Sequence, residues 1–170
     1  SLVNKNISPC SSISKDKTIK GETPLILQIG KNFTKFVDFN TIKKDSLSEV
    51  FSHQETIGAK EMNLLSSYRI QFSKNILKNL KSNTVYVQDR YSKVYQYEEV
   101  LPPLNWELKP ETKVFLGFIC RQAKLKFRGR NYIAWYTTKI PISFGPWKFT
   151  GLPGLILEIY DTTNTYKWTA

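Results

Sequence analysis

One histidine, His53, and two cysteines, Cys10 and Cys120, are all the chain offers for nucleophilic or metal chemistry beyond its hydroxyls, amines and carboxylates. A Ser-His-Asp or Cys-His site needs its base within hydrogen-bond reach of the nucleophile and a third group to orient that base. His53 stands in a polar stretch that carries no other motif, so no such site is expected. The cysteines share no short metal-ligand spacing with each other or with His53, and no paired histidines or phosphate-cradling glycine loop occurs. Glu98 and Glu99 are adjacent, and adjacent strand residues point to opposite faces, so they form no shared acid/base site. The reading is therefore of a chain with no catalytic residue, no cofactor and no metal.

Binding chemistry is better represented. Arg128 and Arg130 flank Gly129, and a guanidinium fork suits a carboxylate, a phosphate or a lipid headgroup. The plainer reading pairs them with Glu158, Asp161 or another strand carboxylate. Trp135 and Tyr136 are neighbours on opposite faces, one of them core and the other free to line a cavity or cover the sheet. Trp147 and Phe149 lie between the turn dipeptides Gly145-Pro146 and Pro153-Gly154, where Pro presets φ and Gly accepts a positive φ. A loop that also holds Leu152, Leu155 and Ile156 is too apolar to stand wholly in water, so it plugs the end of a curved sheet or presents a patch to a ligand or partner. The ligand or partner candidates are thus Arg128, Arg130, Trp135, Trp147 and Phe149, expected to meet on one rim.

The elements that must position these residues are mostly strands. A chain of 170 residues can bury a real core as one domain. At 41% hydrophobic and 14% aromatic it reads as folded rather than disordered, with no run of about 18 apolar residues to span a membrane. Residues 1–23 are polar, with isolated Ile7, Ile13 and Ile19, and read as a loose arm or edge strand; residues 24–170 read as one β-rich domain. Leu25 to Ile29 and Phe33 to Phe39 form a hairpin about Gly30-Lys31-Asn32. Helical character is confined to residues 41–82, with one or two short helices expected around 46–81, including Ser73 to Lys81. From Thr84 onward short β-branched and aromatic runs follow one another, with turns at Gln88-Asp89 and a break at Pro102-Pro103. Lys113 to Cys120, Ala123 to Phe127, Tyr132 to Thr138, Leu155 to Tyr160 and Thr165 to Trp168 complete the series. Strands without alternating helices argue for a mainly β fold with some α, a single curved antiparallel sheet or half-barrel like that of lipoprotein carriers.

Lys and Arg number 25 against 14 acidic residues, a formal charge of +11 with no run of five basic residues, which favours a diffuse solvated surface. The least diffuse stretch alternates Lys124, Lys126, Arg128 and Arg130, placing them on one strand face with Leu125 and Phe127 toward the core. Basic and aromatic residues interleave as on nucleic-acid platforms, but the aromatics alternate with apolar residues as core positions do, so nucleic acid is not expected. Cys10 and Cys120 either close one disulfide, worth about 4–5 kcal/mol across so long a loop, or leave Cys120 as a buried thiol beside Phe118.

Residues 106–161 carry an ordered series: Trp106, Gly117, Cys120 with Ala123, Phe127-Arg128-Gly129-Arg130, Ala134-Trp135-Tyr136-Thr137, Ile140-Pro141-Ile142, Gly145-Pro146-Trp147-Lys148-Phe149, then Gly151-Leu152-Pro153-Gly154-Leu155-Ile156, closing on Asp161. This series resembles the GLPGLI family of Bacteroidetes cell-envelope proteins, named after that hexapeptide. Weaker matches reach upstream to Leu27 through Gly30 and to Tyr95, Tyr97 and Glu99. The resemblance implies a secreted or periplasmic protein of unknown role. Members carry an export signal, and none opens this chain, which reads as a processed form or a fragment; further strands are expected after the Asp161 segment. The function expected is a non-catalytic envelope protein that binds a hydrophobic ligand or a protein through residues 145–156. The alternative is an assembly component docked by basic strands on an acidic envelope partner.

Overall fold

The structure, a computed structural model, describes residues 3–12, 22–90 and 93–170, with side chains from residue 23 onward. Among the described residues eleven strands and two helices follow in the order β1 (Val3–Ser12), β2 (Glu22–Ile29), β3 (Phe33–Asp38), α1 (Phe39–Ser52), α2 (Ala59–Ser67), β4 (Lys74–Asn79), β5 (Thr84–Arg90), β6 (Val94–Val100), β7 (Glu107–Phe115), β8 (Phe118–Phe127), β9 (Arg130–Thr137), β10 (Leu155–Asp161) and β11 (Tyr166–Thr169). All pairings are antiparallel, in the order β6-β5-β4-β3-β2-β1-β11-β10-β9-β8-β7. Five strands thus lie on either side of β1, and β1 meets β11 at only two residue pairs, Ser11 with Lys167 and Ser12 with Tyr166. β6 and β7 are not paired with each other, so the sheet curls without closing into a barrel.

Both halves contribute to one core. Leu25, Phe36, Ile76, Val85 and Val87 from the first half join Ala123, Leu125, Tyr132, Ala134, Ile159 and Trp168 from the second. Val85 and Val87 alternate with Tyr86 and Gln88 along β5, and buried Ala123 and Leu125 with exposed Lys124 and Lys126 along β8, so a single curved sheet can face that core with one side. Two tight hairpins shape the second half. Leu116 (φ 50°) and Gly117 (φ 76°) join β7 to β8, and Arg128 (φ 49°) and Gly129 (φ 77°) join β8 to β9. Positive φ at both central residues is the twist-matched geometry for two-residue hairpins, and glycine supplies its second position without steric cost.

Several expectations are corrected. The segment 73–81 is strand β4, not helix, because its apolar residues serve two faces: Ile76 points into the core while Leu77 stands on the opposite side. The helices lie earlier, and Asp38 explains why. Its buried carboxylate caps α1 by accepting from the Asn40 N–H at 2.8 Å and also accepts from the Gln71 and Phe72 N–H groups, tying the helix start to the chain entering β4. Gln88 and Asp89 continue β5 rather than turning, and the run from Lys113 to Cys120 is broken by the Leu116-Gly117 hairpin. Within the polar N-terminal stretch, Val3–Ser12 form an inner strand of the order, between β2 and β11. Arg128 sits at the hairpin turn and Arg130 opens β9, so they do not continue the face of Lys124 and Lys126. Cys120 is a buried free thiol whose Sγ donates to the Phe118 carbonyl; the Cys10 side chain lies outside the described residues.

Candidate functional site

The connection from β9 to β10, residues 138–154, folds back onto the sheet instead of looping into solvent. Leu155 N–H donates to the Ile140 carbonyl at 3.0 Å and Ile156 N–H to the Phe144 carbonyl at 2.9 Å. Phe144 bridges Thr150, and Trp106 Nε1 donates to the Thr150 carbonyl at 2.8 Å. Gly154 lies so close to β9 that an added Cβ would sit 2.1 Å from the Thr137 carbonyl oxygen. Leu152, Leu155 and Ile156 are each buried to within 2%. The hexapeptide is therefore a plug in the core, and its glycine at 154 is set by close approach to backbone.

Trp147 and Phe149 part company at this point. Phe149 is 1% exposed and sits among Trp106, Phe127, Tyr132, Trp147 and Trp168, with Tyr132 nearest at 4.9 Å between ring centroids. It supports the rim from below and cannot line it. Trp147, held at φ 54°, turns its half-buried ring outward and lies parallel to Trp168, which in turn lies parallel to Tyr166. The Arg128 guanidinium lies 5.9 Å from the Trp147 ring centroid, and the Arg130 guanidinium 5.0 Å from that of Tyr166. Three near-parallel rings are thus bracketed by two arginines.

This ladder lines a cleft of about 310 Å³ together with Tyr132 and with Phe72 and Lys74 of the first half. Of the five rim candidates, Arg128, Arg130 and Trp147 meet at the cleft and Phe149 underlies it. Trp135 does not join them. It is an odd number of residues from Tyr132 on β9 and faces the other side of the sheet, where Lys113 Nζ lies 4.6 Å from its ring centroid and Glu158 is its cross-strand neighbour. A larger depression of about 520 Å³ lies elsewhere, between α1 and the outward face of β4, β5 and β6, where Asn75, Gln88 and Gln96 line up across the strands.

Ion pairs pin the rim. Arg128 pairs with Glu99 of β6, and Lys148, whose side chain is 3% exposed, pairs with the same carboxylate at 2.5 Å. The edge strand of the first half is thereby latched to the hairpin and plug of the second. Arg130 donates to Asp161 at 2.8 Å, and this buried carboxylate also accepts from Thr163 Oγ1 and the Tyr166 N–H. Lys74 pairs with Asp89. Burial pushes the Glu99 carboxyl up, but Lys148 and then Arg128 outweigh it and hold Glu99 below the usual carboxylate range. Burial likewise opposes Thr163, the Tyr166 N–H and Arg130 at Asp161, which is also held low. Burial raises the Tyr132 hydroxyl. His53 is exposed at the C-cap of α1, its Nδ1 2.8 Å from the Glu49 carbonyl oxygen.

Tyr166 and Trp168 were legible only as strand residues; their i, i+2 spacing put both on one face without saying which rings they would meet. Lys148 carried no signal beyond its place between two aromatics, and nothing in the sequence singled out Phe72, Lys74 or Glu99 for this cleft. Among the described residues no group of three or more His, Cys, Asp or Glu could hold a metal ion, and no helix is long and apolar enough to cross a membrane.

A family model described as "Protein of unknown function (Porph_ging)" matches residues 127–158, from the Arg128-Gly129 hairpin through the plug into β10. No curated protein matches the chain. Among solved structures, that of PNGF-II in the P21 space group is similar with a TM-score of 0.61 and 14% identity over 96% of this chain. PNGF-II in the C2 space group is similar with a TM-score of 0.64 and 14% identity over 99% of this chain. Each covers 26% of the PNGF-II chain, so this chain spans about a quarter of that length, and at such identity the likeness is one of fold. The chain is thus similar in fold to one part of PNGF-II and, over its hairpin and plug, to a family of unknown function.

Proposed function

We propose that this chain is a non-catalytic binding module of the Bacteroidetes cell envelope, secreted or periplasmic and of the GLPGLI type, that holds a hydrophobic ligand or a partner protein at the cleft bordered by residues 145–156. The observation that carries this reading is Trp147. Phe149 and Leu152 of this loop are buried in the core, whereas the Trp147 ring lines the cleft, in a left-handed backbone conformation that tryptophan rarely adopts. Strained residues that persist at a cleft point to a use for the cleft.

The non-catalytic part is supported by the charges around it. The carboxylates paired with the cations at the cleft, Glu99, Asp161 and Asp89, are each held below the usual range, away from the near-neutral values that general acids and bases need. The test is co-purification from envelope fractions of cells that express the chain naturally. Material retained by the native chain and lost from Trp147→Asn, which suits the positive φ, supports the reading; identical retention by both sinks it.

A second reading, an assembly component docked on an acidic partner, is favoured by Lys124 and Lys126, both exposed on β8. Its binding would fall steeply between about 0.1 and 1 M salt, as screening demands, and would be insensitive to Trp147.

A further inference from the structure

We infer that the cleft selects an organic anion: a small flat apolar body carrying one carboxylate or phosphate, with the acid group at the Arg128 end. This rests on the reading of the cleft as a ligand site and adds the chemical class.

The ladder itself argues for an anion. Aromatic faces are negative and edges positive. The faces of Trp147 are approached by Arg128 and by Lys148, at 5.9 and 5.6 Å from the centroid, and that of Tyr166 by Arg130 at 5.0 Å. Trp147, Trp168 and Tyr166 run near-parallel, with interplanar angles of 5° and 7°. Cations lie over both terminal rings, so at the ends of the ladder an incoming group meets guanidinium N–H, which is electropositive. A sugar ring, which stacks on an open aromatic face, is poorly matched to such ends; a π system, whose negative face accepts a cation, is well matched.

Charge balance locates the acid group. At one end of the ladder two cations, Arg128 and Lys148, share the single carboxylate of Glu99, leaving +2 − 1 = +1. At the other end Arg130 is balanced by Asp161. A guanidinium has five N–H donors, and Arg128 spends one on Glu99. Its side chain is 52% exposed, so the remaining donors are within reach of a ligand. Lys148, at 3% exposed, supplies field rather than contact. The volume, about 310 Å³, is at the lower end of small-molecule sites, which fits one or two fused rings and not a segment of protein.

Calorimetric titration with 2-naphthoate, 2-naphthyl phosphate and the uncharged 2-naphthalenemethanol tests this on the full chain. Either acid is expected to bind at least about tenfold more tightly than the alcohol, the tighter of the two naming the acid group. Arg128→Asn should erase that preference. It converts the hairpin to Asn-Gly, the sequence most suited to its two positive φ values, so the fold is kept while the guanidinium is lost. Trp147→Asn should weaken all three probes. An alcohol that binds as tightly as the acids, or an Arg128→Asn variant that keeps the preference, overturns the anion inference; if Trp147→Asn still weakens binding, the cleft reading survives. No binding by any probe overturns both.

Discussion

Trp147 and Trp168 lie parallel, with ring planes 5° apart and centroids 6.3 Å apart, one from the plug loop and the other from β11. Trp147→Ala and Trp168→Ala each remove one ring of the ladder. Their stabilities should differ, because Trp168 is 6% exposed and rests on Phe149 while Trp147 is half-buried. Truncating a buried Trp costs about 3–5 kcal/mol, and the half-buried ring should cost roughly half as much. Equal losses of the two variants in denaturant unfolding would show that the two rings are not buried as described.

The strands of the second half were readable from Val, Ile and aromatic alternation because their packing is local, hairpin to hairpin. β4 was not readable. Ile76, Leu77 and Leu80 fit a helical stripe as well as a strand, and only the pairing of β4 with β3 and β5 decides between them. The cleft shows the same limit. Arg128, Arg130 and Trp147 stand out by residue type, and the two arginines also meet the plainer expectation by pairing with the strand carboxylates Glu99 and Asp161. Trp135 is of the same residue type but lies on the other face, since three positions along β9 from Tyr132 turn it away from the cleft. Glu99 and Phe72 reach the rim only when the curled sheet brings its two halves together, and no local pattern records that.

Gly154 offers a direct test of the plug. A methyl group there would meet the Thr137 carbonyl oxygen at 2.1 Å, a contact with backbone that no side-chain rotation can relieve. Gly154→Ala should therefore cost more than about 3 kcal/mol or prevent folding, the upper end for overpacking. Gly151→Ala, where the new atom would be 3.7 Å from Trp106 and only the positive φ is strained, should cost about 1–2 kcal/mol. Denaturant midpoints for the two variants provide the comparison. Equal midpoints would show that Gly154 does not pack as described.

Glu99 should set part of the acid limb of stability. Its carboxyl is held lower in the folded chain than in the unfolded one, so the unfolded state takes up protons first as pH falls. The stabilisation is complete above the ordinary Glu value of about 4.3 and is lost as pH drops below it through the folded value. Glu158, buried between Lys113 and Lys167, and Asp161 follow the same sign. The melting temperature should be level from pH 7 to about 5 and fall below that. Glu99→Gln should lower it at pH 7 by the equivalent of about 1–3 kcal/mol, since Lys148 stays buried without a counter-charge, and should flatten the acid limb. An unchanged acid limb in that variant would show that the latch contributes nothing.

Lys78 predicts the opposite dependence at high pH. It points inward from β4 at 7% exposure, and its ammonium lies 5.8 Å from the Phe144 ring centroid with no carboxylate within ion-pair distance among the described residues. Burial lowers its pKa from 10.5 to about 8. Between those values the unfolded chain binds the proton and the folded chain does not, so stability rises as pH climbs from about 8 toward 10.5. Below about 8 the folded chain carries the full cost of a buried charge, on the order of 3 kcal/mol before any gain from Phe144 is counted. Lys78→Met keeps a similar volume and removes that cost, so it should raise the melting temperature at pH 7 and abolish the rise above pH 8. A destabilised Lys78→Met would mean that the ammonium is held by the core rather than merely tolerated there, and an alkaline rise that persists in the variant would come from a group other than Lys78.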